Sequence, residues 1–232
     1  MTRPGNVIFI TGTDTDVGKT VLSLLVMRAL AGRDAVYLKP VQTGCTDPDA
    51  DSDPAFLHRH LPGGLPGGMR PTDCIHSCRP LPKAPLFAGE PVDFEALRDF
   101  IERHAASHDI VVVEGAGGVL VPVTAEKTML DLALACRASI LVAARAGLGT
   151  INHTLLTFEA IAARGAACLG AILLDPTDAV PGPDRSENIT AIESFSGRRV
   201  HGVIGRIADP SSPPQSAMST LSSALATLPP PA

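Results

Sequence analysis

The residues best suited to chemistry lie in one short stretch, Gly12 to Thr20, which reads G-T-D-T-D-V-G-K-T. An apolar run precedes it, and a segment free of Gly and Pro follows it, which is the strand–turn–helix context of a phosphate-binding loop. In such a loop backbone N–H groups point at an anion, Lys19 reaches the β- and γ-phosphates, and the Thr20 hydroxyl ligates Mg²⁺. Five residues separate Gly12 from Gly18, whereas the common pattern has four. The alternative, an ordinary strand–turn–helix corner, is disfavoured by the G-K-T sequence.

Further polar residues stand at the ends of other apolar runs. Lys39 ends the second predicted strand, and Glu114 directly follows the run Ile110 to Val113. Ligands of open parallel sheets bind beyond the carboxyl ends of the strands, so both side chains are expected at the phosphate loop. An acid in the position of Glu114 is one that phosphate-loop enzymes use to hold Mg²⁺. A solvated lysine and a structural carboxylate are the alternatives.

For two residues between Lys39 and Glu114 in the chain, the sequence allows either a functional or a structural role. Asp53 belongs to an acidic loop, and it is either a metal-site residue or one of several solvated carboxylates. Thr43 offers a hydroxyl four residues after Lys39, which would bond either a ligand or a turn.

Apolar runs alternate with helical segments along the whole chain. Strands are predicted over residues 7–11, 35–39, 110–114, 139–144, 169–174 and 200–204, and helices over 19–31, 51–60, 94–104 (after an N-cap at Asp93), 128–137, 150–164, 184–195 and 212–225. This order predicts an α/β, single-domain P-loop NTPase-like fold over 1–232, with a mostly parallel central sheet and helices on both faces. The Pro/Gly-rich stretch 61–91 is expected to form a functional loop region over the site, and residues 226–232 a Pro-rich tail.

Composition excludes several classes of function. A net charge of −5 argues against a nucleic-acid surface or a membrane-surface helix. The absence of Trp and the single Tyr disfavour base-stacking platforms. No uninterrupted apolar run approaches the roughly 20 residues of a membrane span, and the first strand begins too early for a signal peptide. Five irregularly spaced cysteines fit a reducing compartment, so a cytoplasmic protein is expected.

A short cysteine–histidine motif raises the question of a metal site. Cys74-x-His76-x-Cys78 looks like half of a zinc site, but no second Cys/His pair follows it. We therefore interpret these residues as belonging to an ordinary loop.

Taken together, the motifs resemble those of dethiobiotin synthetases. The resemblance rests on five spaced pieces: G-T-D-T-D-V-G-K-T, Lys-Pro-Val-x-Thr-Gly from Lys39, Ser52-Asp53, Val-Glu-Gly-Ala-Gly-Gly around Glu114, and Leu-Gly-Thr-Ile-Asn-His from Leu148. It covers about residues 6 to 174 and continues more weakly to about 210.

The resemblance implies an ATP- and Mg²⁺-dependent cyclo-ligase of biotin synthesis. Its substrates would be 7,8-diaminopelargonic acid, CO₂ (or bicarbonate) and ATP, and its products dethiobiotin, ADP and phosphate, through a carbamate and a carbamic-phosphoric anhydride. The family's active form is a homodimer in which the partner subunit holds the substrate carboxylate. Neither nucleic acid nor a membrane is an expected partner.

The resemblance also implies a role for each matching position. Lys39, Lys19 and Thr15 would be catalytic, and Thr20, Asp53 and Glu114 would hold Mg²⁺. The nucleotide would be lined by Asp16, Val17, Gly18, Lys19, Thr20, Val21, Asp53, Glu114, Gly115, Ala116, Gly117, Leu174 and Asp175. The diamine or its carbamate would be contacted by Thr15, Lys39, Thr43, Pro82, Gly149, Thr150 and Asn152.

Some positions depart from the family pattern. Leu174-Asp175 stands where many members have Asn-Asp near the nucleotide base, and Ala208-Asp209-Pro210 replaces a Pro-x-Leu segment. Base selectivity is therefore open, and other nucleoside triphosphates are possible substrates. Leu86 occupies a position often taken by His, and Asn188 replaces an aromatic residue near the substrate tail.

Three other functions share parts of this pattern. Partition and septum-positioning ATPases of the ParA/MinD type need a second, earlier lysine in the phosphate loop, and none precedes Lys19 there. Cobyrinate a,c-diamide synthase-like ATPases carry a glutaminase domain, for which this chain offers no room. A nucleotide-binding module without catalysis would not require Lys39 and Glu114 beside the loop.

Overall fold

Residues 6–226 and 228, which the computed structural model describes, form an α/β fold with a six-stranded main sheet and a separate two-stranded sheet. The strands are β1 (Asn6–Gly12), β2 (Ala35–Leu38), β3 (Val41–Thr43), β4 (Ser77–Arg79), β5 (Ile110–Gly118), β6 (Ser139–Arg145), β7 (Cys168–Leu174) and β8 (Val200–Ile204). The helices are α1 (Lys19–Ala29), α2 (Pro48–Asp51), α3 (Asp53–His60), α4 (Phe94–Ala105), α5 (Met129–Ala135), α6 (Thr150–Ala163), α7 (Gly182–Ser196) and α8 (Gln215–Leu225).

The main sheet has the order β2-β5-β1-β6-β7-β8, and each neighbouring pair is parallel. The predicted parallel α/β fold is therefore confirmed. Strand β1 lies between β5 and β6, and Gly12 at its end pairs with Gly118 on one side and Ala143 on the other. The loop that follows β1 thus receives side chains from the ends of both neighbours.

Apolar side chains cover both faces of this sheet. Along β1, Ile8 and Ile10 belong to the core cluster that includes Leu22 and Leu25 of α1, whereas Phe9 packs into the cluster on the opposite face. Strands buried on both faces read as continuous apolar runs, which is why the sequence predicted them.

The stretch 61–91 is more ordered than a simple loop. Strand β4 pairs in parallel with β3, with Thr43 opposite Arg79, and short 3₁₀ helices span Pro66–Gly68, Pro71–Cys74 and Pro85–Phe87. The Lys39 N–H donates to the Cys74 carbonyl at 2.9 Å. This stretch is therefore tied to the chain just after β2.

Two predicted boundaries change in the structure. The helix expected over 51–60 is split, because Ser52 adopts an extended backbone and its hydroxyl caps α3 by accepting from Ala55 N. Strand β5 continues past Glu114 to Gly118, because Gly118 still pairs with Gly12 of β1.

Within residues 6–226 and 228, no helix is long and apolar enough to cross a membrane. The Pro-rich tail predicted over 226–232 lies outside the described residues, apart from Ala226 and Leu228.

Candidate active site

The loop between β1 and α1 has the geometry that an anion cradle requires. Gly18 precedes the first residue of α1 with a φ of 94°, and no side chain caps this helix start. The free N–H groups and the positive end of the helix dipole therefore face the loop. A Cβ on Gly12 would lie 2.6 Å from the Asp14 carbonyl oxygen and 3.1 Å from Lys19 Nζ, so only glycine allows this close turn.

Lys39 lies at the centre of a buried ionic cluster. Its Nζ is 2.7 Å from Asp53 Oδ2, 2.9 Å from Glu114 Oε1 and 3.1 Å from the Gly115 carbonyl. Burial alone would lower the pKa of the Lys39 ammonium, but Glu114 and Asp53 raise it above its ordinary value. Lys39 therefore carries a full positive charge at neutral pH.

Glu114 is held by three hydroxyl groups in addition to Lys39. Thr20 Oγ1 donates to Oε1 at 3.0 Å, while Ser23 Oγ and Tyr37 OH donate to Oε2 at 2.7 and 2.9 Å. The carboxylate is 1% exposed, and these donors replace its hydration. Burial, followed by Glu114, raises the pKa of Tyr37 well above its usual value, so the phenol stays a donor.

Asp53 begins α3 and reaches the same cluster. Its backbone N–H donates to Gln42 Oε1 at 3.1 Å, which fixes the helix start beside β3. Burial would raise the pKa of this carboxyl, but Lys39 lowers it below its ordinary value. Asp51 belongs to a different set of contacts, because its carboxylate accepts from Cys45 Sγ, Thr46 N and Asp47 N.

Lys19 is buried and bends back onto its own loop. Its Nζ donates to the Asp14 carbonyl at 3.1 Å. Burial and then the neighbouring Lys39 lower the pKa of Lys19, whereas Glu114, Asp53 and Asp16 raise it. An anionic ligand beside Lys19 would favour its charged form.

The structure brings together the residues predicted from strand ends. Lys19, Thr20, Lys39, Asp53 and Glu114 form one connected cluster at the carboxyl edge of the sheet. Sequence reasoning missed Ser23, Tyr37 and Gln42, which position the carboxylates. A signal existed for two of them, because Ser23 interrupts an apolar helix and Tyr37 is the only tyrosine in the chain.

The remaining loop and glycine positions line the edge of this cluster. Asp16 is exposed with a φ of 55°, Val17 is buried, and Val21 is half-buried on α1. Gly115 and Ala116 are buried beyond Glu114, and Gly117 has a φ of 68°. Exposed Thr15 is held through its backbone N–H by the Asp14 carboxylate at 2.7 Å.

The residues predicted to bind substrate lie in two places. Thr43 ends β3, and Pro82 packs against the adjacent Gly44. Gly149, Thr150 and Asn152 lie at the start of α6, on the β6 side of the phosphate loop, away from the β2 and β5 strand ends. Gly149 has a φ of 90°, and no side chain caps α6. The Thr150 N–H donates to the Gly147 carbonyl at 3.1 Å. Helix starts of this kind suit an anion.

The two residues expected near the nucleotide base have protein partners. Leu174 packs against Gly18. The buried Asp175 carboxylate accepts from Val180 N at 3.0 Å, Ala179 N at 3.2 Å and Arg185 Nη2 at 2.7 Å. Burial would raise the pKa of Asp175, but these donors lower it. Asn188, another departure from the family pattern, donates to the Ala146 carbonyl at 3.0 Å.

The cysteine–histidine motif has dispersed partners. Cys74 is buried, and burial raises the pKa of its thiol to about 12. The His76 ring contacts Phe100, and Cys78 Sγ donates to the Cys45 carbonyl. In the part of the chain that the structure describes, no group of three or more His, Cys, Asp or Glu residues is arranged to hold a metal ion.

Comparison with solved structures finds the same fold in known proteins. The chain is similar to MinD in the MinC:MinD cell division protein complex of Aquifex aeolicus, with a TM-score of 0.61, 14% identity, and coverage of 97% of this chain and 98% of the other. It is similar to a ParA family ATPase from Chlorobium tepidum, with a TM-score of 0.57, 13% identity, and coverage of 98% and 93%. At these identities the likeness concerns the fold alone.

Sequence comparison identifies the family. A family model described as an AAA domain matches residues 6–213. The chain is 44% identical to the ATP-dependent dethiobiotin synthetase BioD of Anaeromyxobacter sp. (strain Fw109-5), over 87% of this chain and 91% of that protein. It is 38% identical to the protein of the same name from Rhodococcus jostii (strain RHA1), over 89% and 90%. The chain belongs to the dethiobiotin synthetase family.

Proposed function

We propose that this protein is an ATP-dependent cyclo-ligase that converts 7,8-diaminopelargonic acid and CO₂ into dethiobiotin, with formation of ADP and phosphate. Two observations support the proposal. Its relatives carry the name ATP-dependent dethiobiotin synthetase. Its site also contains two lysines, two carboxylates and a hydroxyl group at a phosphate loop. The contacts of Lys39 with Glu114 and Asp53 are the observation on which the proposed activity mainly depends.

The reaction needs little covalent work from the protein. One amine of the diamine takes up CO₂ and loses a proton to give a carbamate. A carbamate oxygen then attacks the γ-phosphorus, the bond to ADP breaks, and a carbamic-phosphoric anhydride forms. The second amine attacks the carbonyl carbon, and phosphate leaves as the cyclic urea closes. Positioning and neutralisation of charge are the tasks left to the side chains.

Lys39 and Lys19 are placed for that neutralisation. The Lys39 ammonium remains charged in a dry site, where an interaction with a developing anion is stronger than in water. Lys19 needs only to leave the Asp14 carbonyl to reach a phosphate oxygen. Thr15, at the exposed turn of the loop, would contact the carbamate. Asp16 to Val21 and Glu114 to Gly117 would line the triphosphate.

The oxygen ligands at the site fit Mg²⁺. Thr20, Asp53 and Glu114 supply hydroxyl and carboxylate oxygens, the ligand type that Mg²⁺ prefers. The Lys39 ammonium bonds both carboxylates, and this contact supports a preference for cations at this position. When bound there, directly or through water, Mg²⁺ would supply neutralisation of the β- and γ-phosphate oxygens.

The diamine would be held at its two ends by different elements. Lys39, Thr43 and Pro82 would line the amine end beside the phosphate loop. The carboxylate would meet the start of α6 at Gly149, Thr150 and Asn152, contributed by the second subunit of a homodimer. The α6 start lies beyond β6, across the phosphate loop from Lys39. This separation supports the assignment of the amine end and the carboxylate end to different elements.

Recognition of the nucleotide base would rest on backbone groups. The Asp175 carboxylate is already bonded to Arg185 and two N–H groups, and Leu174 offers only an apolar surface. A site of this kind would accept several nucleoside triphosphates besides ATP.

Regulatory ATPase and cobyrinate-type functions receive less support. The likeness to MinD and ParA proteins does not extend beyond the fold at 13–14% identity. The relatives at 44% and 38% identity are named ATP-dependent dethiobiotin synthetase, and a bifunctional BioCD protein of Bordetella avium is 37% identical to this chain.

Product formation tests the proposal directly. The protein is incubated with diaminopelargonate, carbon-13 bicarbonate, Mg²⁺ and each nucleoside triphosphate in turn, and dethiobiotin is sought by mass spectrometry. The carbon-13 label must appear in dethiobiotin, and omission of the diamine must abolish formation of labelled dethiobiotin. ATP hydrolysis without labelled dethiobiotin would contradict the proposal and favour a nucleotide switch.

A further inference from the structure

One ion pair joins the phosphate loop to the end of the neighbouring strand. Asp14 Oδ2 lies 2.7 Å from Arg145 Nη2, although 131 positions separate the two residues in the chain. Arg145 is the last residue of β6, and both side chains are about half exposed. Sequence motifs did not single out this contact, and none of the catalytic roles above uses it.

The pair continues the register of two sheet strands. Gly12 of β1 is opposite Ala143 of β6, and the Thr13 N–H donates to the Ala143 carbonyl at 2.9 Å. Asp14, in the loop, and Arg145, at the end of β6, each lie two residues after the Gly12–Ala143 pair, and their side chains meet there. The sheet therefore anchors the arginine, and the arginine holds the first part of the loop.

Asp14 also controls the two residues that follow it in the site. Its Oδ1 accepts from Thr15 N at 2.7 Å, and its carbonyl oxygen accepts from Lys19 Nζ at 3.1 Å. One residue thus bonds the arginine, the turn and the phosphate-binding lysine. Only Asp14 lies between Arg145 and Lys19 in this chain of contacts.

We propose that Arg145 is a positioning residue for nucleotide binding, acting through Asp14 on the conformation of the phosphate loop. When a triphosphate draws Lys19 from the Asp14 carbonyl, the Arg145 pair keeps Asp14 and the turn at Thr15 in place. Arg145 also neutralises the Asp14 carboxylate, which would otherwise repel the phosphates. The inference rests on nucleotide binding at this loop, which is part of the proposed function.

A double-mutant cycle with a binding readout tests this role. Arg145→Ala, Asp14→Asn and the double variant are titrated with a non-hydrolysable ATP analogue by calorimetry. Because the pair is exposed, each single change should raise the Kd about three- to fivefold, and the double change no more than either single one. Arg145→Lys should recover part of the affinity. Arg164→Ala, which breaks the comparable 2.7 Å contact with Asp131 away from the loop, is the matched control.

Steady-state kinetics separate positioning from direct catalysis. For Arg145→Ala the KM for ATP should rise more than kcat falls. A tenfold loss of kcat at unchanged Kd, additive effects in the cycle, or an unaltered Kd in Arg145→Ala would each overturn the proposal. If the unaltered protein fails to bind the analogue, the inference and the proposed function both fail. Binding without dethiobiotin formation would overturn the proposed function alone.

Discussion

Lys39 is the residue on which the proposed chemistry depends most. Its ammonium is bonded to two carboxylates and a carbonyl in a buried site, and its pKa is raised by those carboxylates. Its proposed target, the charge on the transferring phosphoryl group and carbamate, develops during the reaction. A group that acts in this way contributes to kcat more than to ground-state binding.

Replacement of Lys39 should therefore separate binding from turnover. We expect Lys39→Ala to lower kcat by about two to three powers of ten, as loss of one charge-stabilising donor does elsewhere, while the Kd for an ATP analogue changes little. Stopped-time product assays and calorimetry measure the two quantities. Lys83→Ala, at an exposed lysine in the 61–91 stretch, is the matched control. Equal losses in binding and turnover would place Lys39 in ground-state nucleotide binding instead.

At the scale of elements, the phosphate loop depends on the backbone conformation at Gly18. Its φ of 94° is one that L-residues rarely adopt, and an added Cβ would lie 2.8 Å from Leu174 Cδ1. The unfavourable φ angle is a property of the backbone, whereas Leu174 Cδ1 is the far end of a flexible side chain. Mutation of Leu174 removes the side-chain contact and leaves the φ angle unchanged.

Gly18→Ala should weaken nucleotide binding, because the strain shifts the N–H groups that begin α1. We expect the Kd for an ATP analogue to rise about tenfold or more, from a strain of about 1–2 kcal/mol. Adding Leu174→Ala to Gly18→Ala should restore little, since it removes only the contact. Full recovery in the double variant would show that side-chain crowding, rather than the φ angle, is the constraint.

Helix α5 offers a test of electrostatic capping with a defined pH dependence. Asp131 accepts from Thr128 N and Oγ1 at 2.8 Å and from Arg164 Nη2 at 2.7 Å. Burial would raise its pKa, but these donors lower it from 3.8 to about 2. A carboxyl with a depressed folded-state pKa stabilises the fold above its unfolded-state pKa. This contribution is lost as the pH falls from about 4 towards 2.

Asp131→Asn should reduce the free energy of unfolding by about 1 kcal/mol at pH 7, a value discounted because Arg164 is half exposed. The difference from the unaltered protein should shrink as the pH approaches 2. Urea unfolding at several pH values measures it, with Asp99→Asn on the exposed face of α4 as the control. A deficit that stays constant with pH would show that the lost contacts are not electrostatic.

The elements differ in how far the sequence predicted them. The main-sheet strands were foreseeable because burial on both faces demands unbroken apolar runs, as in Ile110 to Val113. Strands β3 and β4 were not, because each has three residues and is defined by its partner rather than by its own pattern. A strand of this length carries no periodicity that a sequence can display.

The same distinction applies within the site. The meeting of Lys39 and Glu114 followed from the rule for strand ends, and the structure confirms it with a 2.9 Å contact. The hydroxyl partners Ser23 and Tyr37 depend on how α1 and β2 pack around β5, which no local pattern encodes. The Asp14–Arg145 pair likewise depends on strand order, which sequence reasoning left open.

At the scale of the whole molecule, the proposed homodimer can be tested through the elements around α6. Leu148 is fully exposed just before α6, and Leu156 and Phe195 on α6 and α7 are 61% and 82% exposed. A homodimer formed here would cover the α6 start, to which the substrate carboxylate is assigned.

Such a dimer would build each site from two chains, and mixing two impaired variants can reveal it. Asn152→Ala alone should raise the KM for the diamine more than the KM for ATP. When Lys39→Ala and Asn152→Ala chains are unfolded together and refolded as a mixture, half of the dimers should be heterodimers. Each heterodimer contains one site with Lys39 from one chain and Asn152 from the other.

Assayed at low diamine concentration, the mixture should reach about a quarter of the unaltered activity, because random pairing restores one site in four. The two variants refolded separately and then combined, under conditions in which subunits do not exchange, provide the control and should give only the mean of their activities. If co-refolding gives no more than that mean while light scattering shows dimers, both residues act within one chain. The carboxylate would then be held in a different way from the one proposed.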